Sequence, residues 1–219
     1  MSKAAQPAPK RPPPRLYLVT PEVADAQSFA RDLAAALDAA DVAAVLLRLT
    51  HADERALINR VKVLTPIAAK TETALLLDGI ADIVARGSAD GAHLTGPEAF
   101  SDALDSLKPE RIAGCGGLPG RHDAMFVAER GADYVMFGEP EADGGRPAFD
   151  AIVERVAWWA EVFEIPCVAY AASRDEIAPL VAAGADFVAV GDFIWTDARG
   201  VAVAIADAAA CLALSEEVA

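Results

Sequence analysis

The stretch "GADYVMFGEP", Gly131 to Pro140, is written again fifty-three residues later as "GADFVAVGDF", Gly184 to Phe193. A small residue and an Asp leading into an apolar run also occur upstream. "SADGAHLTG", Ser88 to Gly96, has the same layout, and "AADVAAVLLR", Ala39 to Arg48, is a looser copy. The four aspartates stand at positions 41, 90, 133 and 186, spaced 49, 43 and 53 residues apart. One βα unit takes about 25 residues in a barrel of about 200 to 250. Each interval therefore holds two units, and the copies mark alternate strands. The motif itself has a cause: a helix ends, a small residue takes the tight turn, and Asp bonds nearby backbone before the strand begins. Such turns belong to the N-terminal face of a barrel, where they stabilise the fold.

The intervening strands are readable as "RLYLVTP" (Arg15 to Pro21), "TALLLDG" (Thr73 to Gly79), "RIAGCGG" (Arg111 to Gly117) and "IPCVAYA" (Ile165 to Ala171). Runs that are apolar throughout, instead of alternating, suit parallel strands covered by helices. Helical patterns fall at Ala26 to Ala40, with Phe29, Leu33 and Leu37 on one face, and at Leu57 to Ile67. Others fall at Met125 to Arg130, Ile152 to Phe163, Ile177 to Ala183 and Val201 to Leu214, with a short helix expected third. The expectation is an α/β fold, a single (β/α)8 TIM barrel over residues 15–219. An open doubly wound sheet also uses βα units, but eight evenly spaced ones favour closure. Residues 1–14, "MSKAAQPAPKRPPP", are basic and Pro-rich without an apolar core, which reads as a disordered tail and not a signal peptide.

Charge excludes some partners. The chain of 219 residues carries a formal net charge of −14, so it lacks the excess of Lys and Arg that neutralises nucleic-acid phosphates. No apolar stretch reaches bilayer length, and the acidic composition reads as a soluble cytoplasmic surface. Cys115, Cys167 and Cys211 are odd in number and widely spaced, which argues against a disulfide framework or zinc site and for small buried hydrophobes.

The stretches "RLYLVTP", "ADGAHLTG", "GADYVMFGEP" and "PCVAYAASRDEIAPLVAAGADFVAVGDFIW" together resemble the thiamine phosphate synthase family, which includes the related thiazole tautomerase. The likeness runs from about residue 15 to 205, in order. It implies a barrel enzyme of thiamine biosynthesis that joins a hydroxymethylpyrimidine diphosphate to a thiazole phosphate with magnesium, releasing diphosphate. Departure of a diphosphate needs cations, a metal bridging its oxygens together with Lys or Arg. The family pattern supplies these at the C-terminal ends of the strands, where active sites of this fold lie.

This chain departs from that pattern at the chemistry-bearing positions. The family's Gln-Leu-Arg, spacer, Lys after strand 2 is "LLRLT" here: Leu46 replaces Gln, Arg48 remains and Thr50 replaces Lys. After strand 3, Asn-Asp-Arg becomes Asp78-Gly79-Ile80, leaving Asp78 one place early as a metal ligand. After strand 4, His-Leu-Gly-Gln, spacer, Asp appears as His93-Leu94-Thr95-Gly96-Pro97-Glu98, in which Glu98 keeps a carboxylate. The phosphate-holding Gly-Gly-Ile after strand 7 is Ala171-Ala172-Ser173, and the Val-Ser pair after strand 8 is Gly191-Asp192. The Thr-x-Thr-Lys element after strand 6 is replaced by "EPEADGGRP".

The resemblance thus nominates Asp78 and Glu98 as a two-carboxylate magnesium site, with an acidic rim without metal as the rival. Arg48 is a ligand contact or an ion-pair partner of those acids. Glu139 stands where tautomerase-like members place a catalytic His, and a carboxylate there acts as general base if burial raises its pKa. Thr50, His51, Thr95, Cys115, Ala172, Ser173, Gly191 and Asp192 complete the candidate substrate contacts. Ser173 also opens "SRDE", a capping-box pattern with Glu176, and the Gly114 to Gly120 loop offers bare backbone to an anion. His93 reads as a satisfied barrel histidine and His122 as exposed. Trp195 covers a ring-shaped ligand or packs on the final helix. The Trp158–Trp159 pair reads as one ring packed and one at the surface, where a homodimer contact is an option. Three functions stay open: a synthase acting on phosphorylated heterocycles, an eroded paralogue that binds without turnover, and metal-free proton transfer with Glu139 as base.

Overall fold

The computed structural model describes residues 12–141 and 143–216. Eight parallel strands close into a barrel in sequence order: β1 (Arg15–Val23), β2 (Val42–Leu49), β3 (Ala74–Asp78), β4 (Gly91–Thr95), β5 (Ile112–Gly116), β6 (Tyr134–Phe137), β7 (Cys167–Ala171) and β8 (Phe187–Val190). The covering helices are α1 (Ala26–Ala39), α2 (Glu54–Lys70), α3 (Val84–Gly87, entered through a 3₁₀ turn), α4 (Pro97–Leu107), α5 (Arg121–Glu129) and α6 (Phe149–Val162). The series ends with α7 (Ile177–Ala182), the short α8 (Asp192–Trp195) and α9 (Val201–Glu216). The open sheet is therefore excluded. Of the expected tail, residues 1–11 lie outside the described residues.

Local chemistry explains the helix starts. Asp25 caps α1, its carboxylate accepting from Gln27 N–H at 3.0 Å and Ser28 N–H at 3.4 Å. Asp53 caps α2 through Ala56 N–H at 2.9 Å, four residues before the first position the periodicity marks. Leu33 and Leu37 of α1 are buried as expected, and Phe29 leans on Trp195 with ring centroids 5.0 Å apart. Trp195 thus packs on α1, with its indole N–H donated to Val19 O at 2.7 Å. In α6, Trp159 is buried and donates to Ile165 O at 2.7 Å, while Trp158 is half-buried beneath the Arg121 guanidinium.

Pleating sorts each strand into two sets of side chains. Inside the barrel lie Tyr17, Val19, Ala44, Leu46, Leu76, Tyr134, Met136, Val168, Tyr170 and Ala189. The larger core lies between sheet and helices and includes Leu16, Leu18, Val45, Leu47, Leu75, Leu77, Cys115 and Cys167. Inside, Tyr17 and Tyr134 share a hydroxyl–hydroxyl bond of 2.8 Å, and Tyr134 Oη meets His93 Nδ1 at 3.0 Å. Gly114 makes room for this: a Cβ there would fall 2.0 Å from the Tyr134 ring.

The repeated aspartates act across strands, not on their own turns. Asp90, just before β4, accepts Leu75 N–H of β3 at 2.8 Å. Asp133, before β6, accepts Ala113 N–H of β5 at 2.7 Å, and Asp186, before β8, accepts Cys167 N–H of β7 at 2.8 Å. Asp41, before β2, instead takes the Arg15 guanidinium of β1 at 2.7 and 3.0 Å. Each carboxylate thereby closes the N-terminal end of the strand before its own, which is why the motif recurs on alternate strands. Asp90→Ala leaves the buried Leu75 N–H without that acceptor and is expected to cost about 1–3 kcal/mol in urea denaturation. Asp102→Ala, on the exposed face of α4, is expected to stay within about 0.5 kcal/mol of wild type.

Candidate active site

A cavity of about 990 Å³ opens at the C-terminal ends of the strands. Strand parity dictates its lining. Two residues beyond inward Leu46 comes Arg48, beyond Leu76 comes Asp78, and beyond His93 comes Thr95, all on the cavity wall. The β6 end adds Phe137, Gly138, Glu139, Pro140 and Glu141, while Tyr170 and Asp192 come from β7 and α8. Gly117, Leu118 and Pro119 line it from the loop after β5, and Arg155 reaches it from α6.

Glu139 is half-buried beside the barrel axis. Its Oε1 accepts the Gly117 N–H and occupies space next to Gly116, where a Cβ would lie 2.1 Å from Glu139 Oε1 and 2.7 Å from His93 Nε2. Only glycine at 116 lets these two side chains approach the same point. Burial raises the Glu139 pKa; Gly117's N–H and the charge of Arg155 oppose the rise, and Asp78 adds to it. Burial also pushes His93 down to about 4, so its imidazole is neutral at physiological pH. Asp78 is raised as well, chiefly by burial, against the pull of Arg48. Arg48 is an ion-pair partner in this structure: its Nε lies 3.7 Å from Asp78 and an Nη lies 4.0 Å from Glu22.

Several candidates sit elsewhere. Cys115 falls between inward Gly114 and Gly116, so it faces the helices, fully buried, and burial pushes its thiol up to about 12. Thr50 is held by Arg60, whose Nη1 reaches Thr50 O at 2.8 Å and Oγ1 at 3.1 Å, and His51 is exposed; neither lines the cavity. Glu98 is exposed on the first turn of α4 and does not line the cavity that Asp78 faces. Among the described residues no cluster of three or more His, Cys, Asp or Glu could hold a metal ion. Gly191 is buried against the Tyr170 hydroxyl, whereas Asp192 reaches the cavity.

The loop after β7 also differs from expectation. The Ala172 N–H is donated to Glu176 Oε2 at 2.8 Å, so it is already satisfied. Ser173 makes no side-chain cap bond; Glu176 serves Ala172 in place of the expected capping box. Glu176 is in turn clamped by Arg146 at 2.9 and 3.0 Å, and both side chains are about four-fifths buried. Arg146 also donates to Gly138 O and Tyr170 O, each at 3.0 Å. This arginine, from the "EPEADGGRP" segment, therefore fixes the β6–α6 loop against β7.

The chain and its barrel have relatives. A family model for thiamine monophosphate synthase matches residues 16–194. The chain belongs to the thiamine monophosphate synthase family. It is 42% identical over 196 residues to the thiamine-phosphate synthase of Rhodospirillum centenum, covering 88% of this chain and 95% of that protein. It is 34% identical over 216 residues to the thiamine-phosphate synthase of Hyphomonas neptunium, covering 94% and 95%. Among solved structures, thiamine phosphate pyrophosphorylase from Pyrococcus furiosus superposes with a TM-score of 0.76 at 20% identity, covering 92% of this chain and 96% of that one. A 3-hexulose-6-phosphate synthase from Salmonella typhimurium gives 0.69 at 14% identity, covering 91% and 99%. These last two likenesses speak to the barrel alone.

Within the family barrel, sequence reasoning missed Gly116, Tyr134, Tyr170 and Arg155 as shapers of the cavity. Parity from Leu46, Leu76 and Val168 would have found the strand residues. Arg155 shares a helical face with buried Ile152, Val156 and Trp159, an odd position for a charge.

Because the folded state holds the Glu139 proton more tightly than the unfolded chain, this group's contribution is fully present below its ordinary 4.5 and falls as pH rises through its folded value. Glu139→Gln, a neutral isostere that still accepts the Gly117 N–H, is therefore expected to raise Tm at pH 7. The gain should shrink towards pH 4 in paired thermal melts.

Proposed function

We propose that this chain acts in thiamine biosynthesis, joining a hydroxymethylpyrimidine diphosphate to a thiazole phosphate in the cavity at the barrel mouth. The observation that carries the reading is this cavity in a chain that shares 42% identity with a thiamine-phosphate synthase over 88% of its length. In that reaction the bond between the pyrimidine methylene carbon and the diphosphate oxygen breaks, and the oxygen leaves with the electron pair. The thiazole nitrogen lone pair forms the new C–N bond. Arg48 faces the departing diphosphate, and its half-buried guanidinium is held in position by Asp78 and Glu22.

Magnesium keeps most of its waters and is bound through one or two carboxylates together with substrate phosphates. Asp78 on the cavity wall fits a magnesium ion that arrives with the diphosphate; Glu98, off the wall, does not. When bound, the ion would neutralise charge on the leaving group. The reading extends to a cytoplasmic protein, with phosphorylated heterocycles as its ligands, and to a homodimer. Among the described residues no helix is long and apolar enough to cross a membrane.

One observation favours a second reading, proton transfer on a thiazole-type compound: Glu139 is a carboxyl of raised pKa at the cavity, tied to Gly117. Full-length protein, both substrates and magnesium are expected to yield thiamine phosphate, and Arg48→Gln to lower kcat/KM by about 10²–10³. No product beside an active control enzyme removes the synthase reading. Solvent-deuterium exchange into the thiazole substrate that vanishes in Glu139→Gln would establish the second.

A further inference from the structure

Four carboxylates (Asp78, Glu139, Glu141 and Asp192) and two guanidinium groups (Arg48 and Arg155) line the cavity. The two arginines differ in kind. Arg48 spends its charge on Asp78 and Glu22. Arg155 has no carboxylate within ion-pair distance among the described residues; its Nη1 donates to Leu118 O at 2.7 Å, a neutral acceptor that orients the group without cancelling its charge. A half-buried guanidinium on a cavity wall, held by a carbonyl and with Glu139 acting on it only from beyond ion-pair distance, is disposed to take a planar oxyanion through its remaining N–H groups.

We propose that Arg155 anchors a phosphate-monoester subsite on the β5–β6 side of the mouth, apart from the Arg48–Asp78 side where a diphosphate would lie. Naming the occupant as the phosphate of the thiazole substrate rests on the function proposed above; the subsite itself rests on the arginine. The loop after β7 offers less: Glu176 already takes the Ala172 N–H and places a carboxylate beside it. Near Arg155, Glu139 is engaged by the Gly117 N–H, and its burial favours the neutral form, which lessens repulsion of an incoming anion. Leu118 and Pro119 supply an apolar wall for the ring that carries the phosphate.

The test uses full-length protein in magnesium-free buffer with two probes, phenyl phosphate and inorganic diphosphate, titrated calorimetrically. Arg155→Gln keeps a donor for Leu118 O while removing the charge. It is expected to weaken phenyl phosphate about 10- to 100-fold and diphosphate less than about threefold. Arg48→Gln is expected to do the reverse, and Arg174→Gln, paired with Asp207 at 3.2 Å outside the cavity, neither. Arg155→Lys retains the charge and should bind phenyl phosphate within about tenfold of wild type. Unchanged phenyl phosphate binding by Arg155→Gln, no binding by wild type, or an equal loss in the Lys and Gln variants would each overturn the proposal. Turnover separates the two readings. Thiamine phosphate formation with normal phenyl phosphate binding in Arg155→Gln leaves the function standing without the subsite; Arg155-dependent binding without product does the opposite.

Discussion

In a closed ring of parallel strands a side chain has only two directions, towards the axis or towards the helices, and the pleat assigns them alternately. The site depends on this constraint. Arg48, Asp78 and Thr95 reach the mouth because Leu46, Leu76 and His93 fill the layer below them. The same rule turns Cys115 away from the cavity, although it stands between two inward-facing glycines of β5. A slip of one residue in any strand would exchange a cavity-facing group for a core one.

Below the mouth, polar groups replace part of the usual branched aliphatic filling. Tyr17, Tyr134 and His93 are buried and bonded to one another, and burial raises both tyrosines and lowers the histidine, which keeps all three neutral. Glu139 stands at the top of this column, near enough to His93 that residue 116 has no side chain. A neutral, fully bonded floor avoids the desolvation cost of buried charge, so charge at this site is confined to the rim, where water or substrate can reach it.

The architecture was legible because repeats at Asp41, Asp90, Asp133 and Asp186 impose a period that few folds satisfy. What those carboxylates bind was not legible. Leu75 N–H lies fifteen residues before Asp90, and only the folded sheet brings them together. The candidate site was legible in part for a similar reason. Arg48, Asp78, Thr95, Glu139 and Asp192 lie at or just beyond the C-terminal ends of strands, which local pattern locates. Arg155 comes from the middle of a helix, and the Glu176–Ala172 bond depends on the distant Arg146 holding Glu176 in place. Helix starts were misplaced where an Asp cap lay outside the apolar period, as at Asp53.

The aspartate clasps divide the barrel. Each joins an odd-numbered strand to the even-numbered one that follows: Arg15 with Asp41, Leu75 with Asp90, Ala113 with Asp133, Cys167 with Asp186. The wall is thus built from four double staves, each carrying its own fastening at the foot, with seams after β2, β4 and β6. New chain ends cut into those seams would keep both members of every fastening close in sequence, whereas a cut inside a stave would leave one fastening to be made between opposite ends of the rejoined chain. The molecule therefore carries a built-in guide to where its chain can be rejoined in a different order.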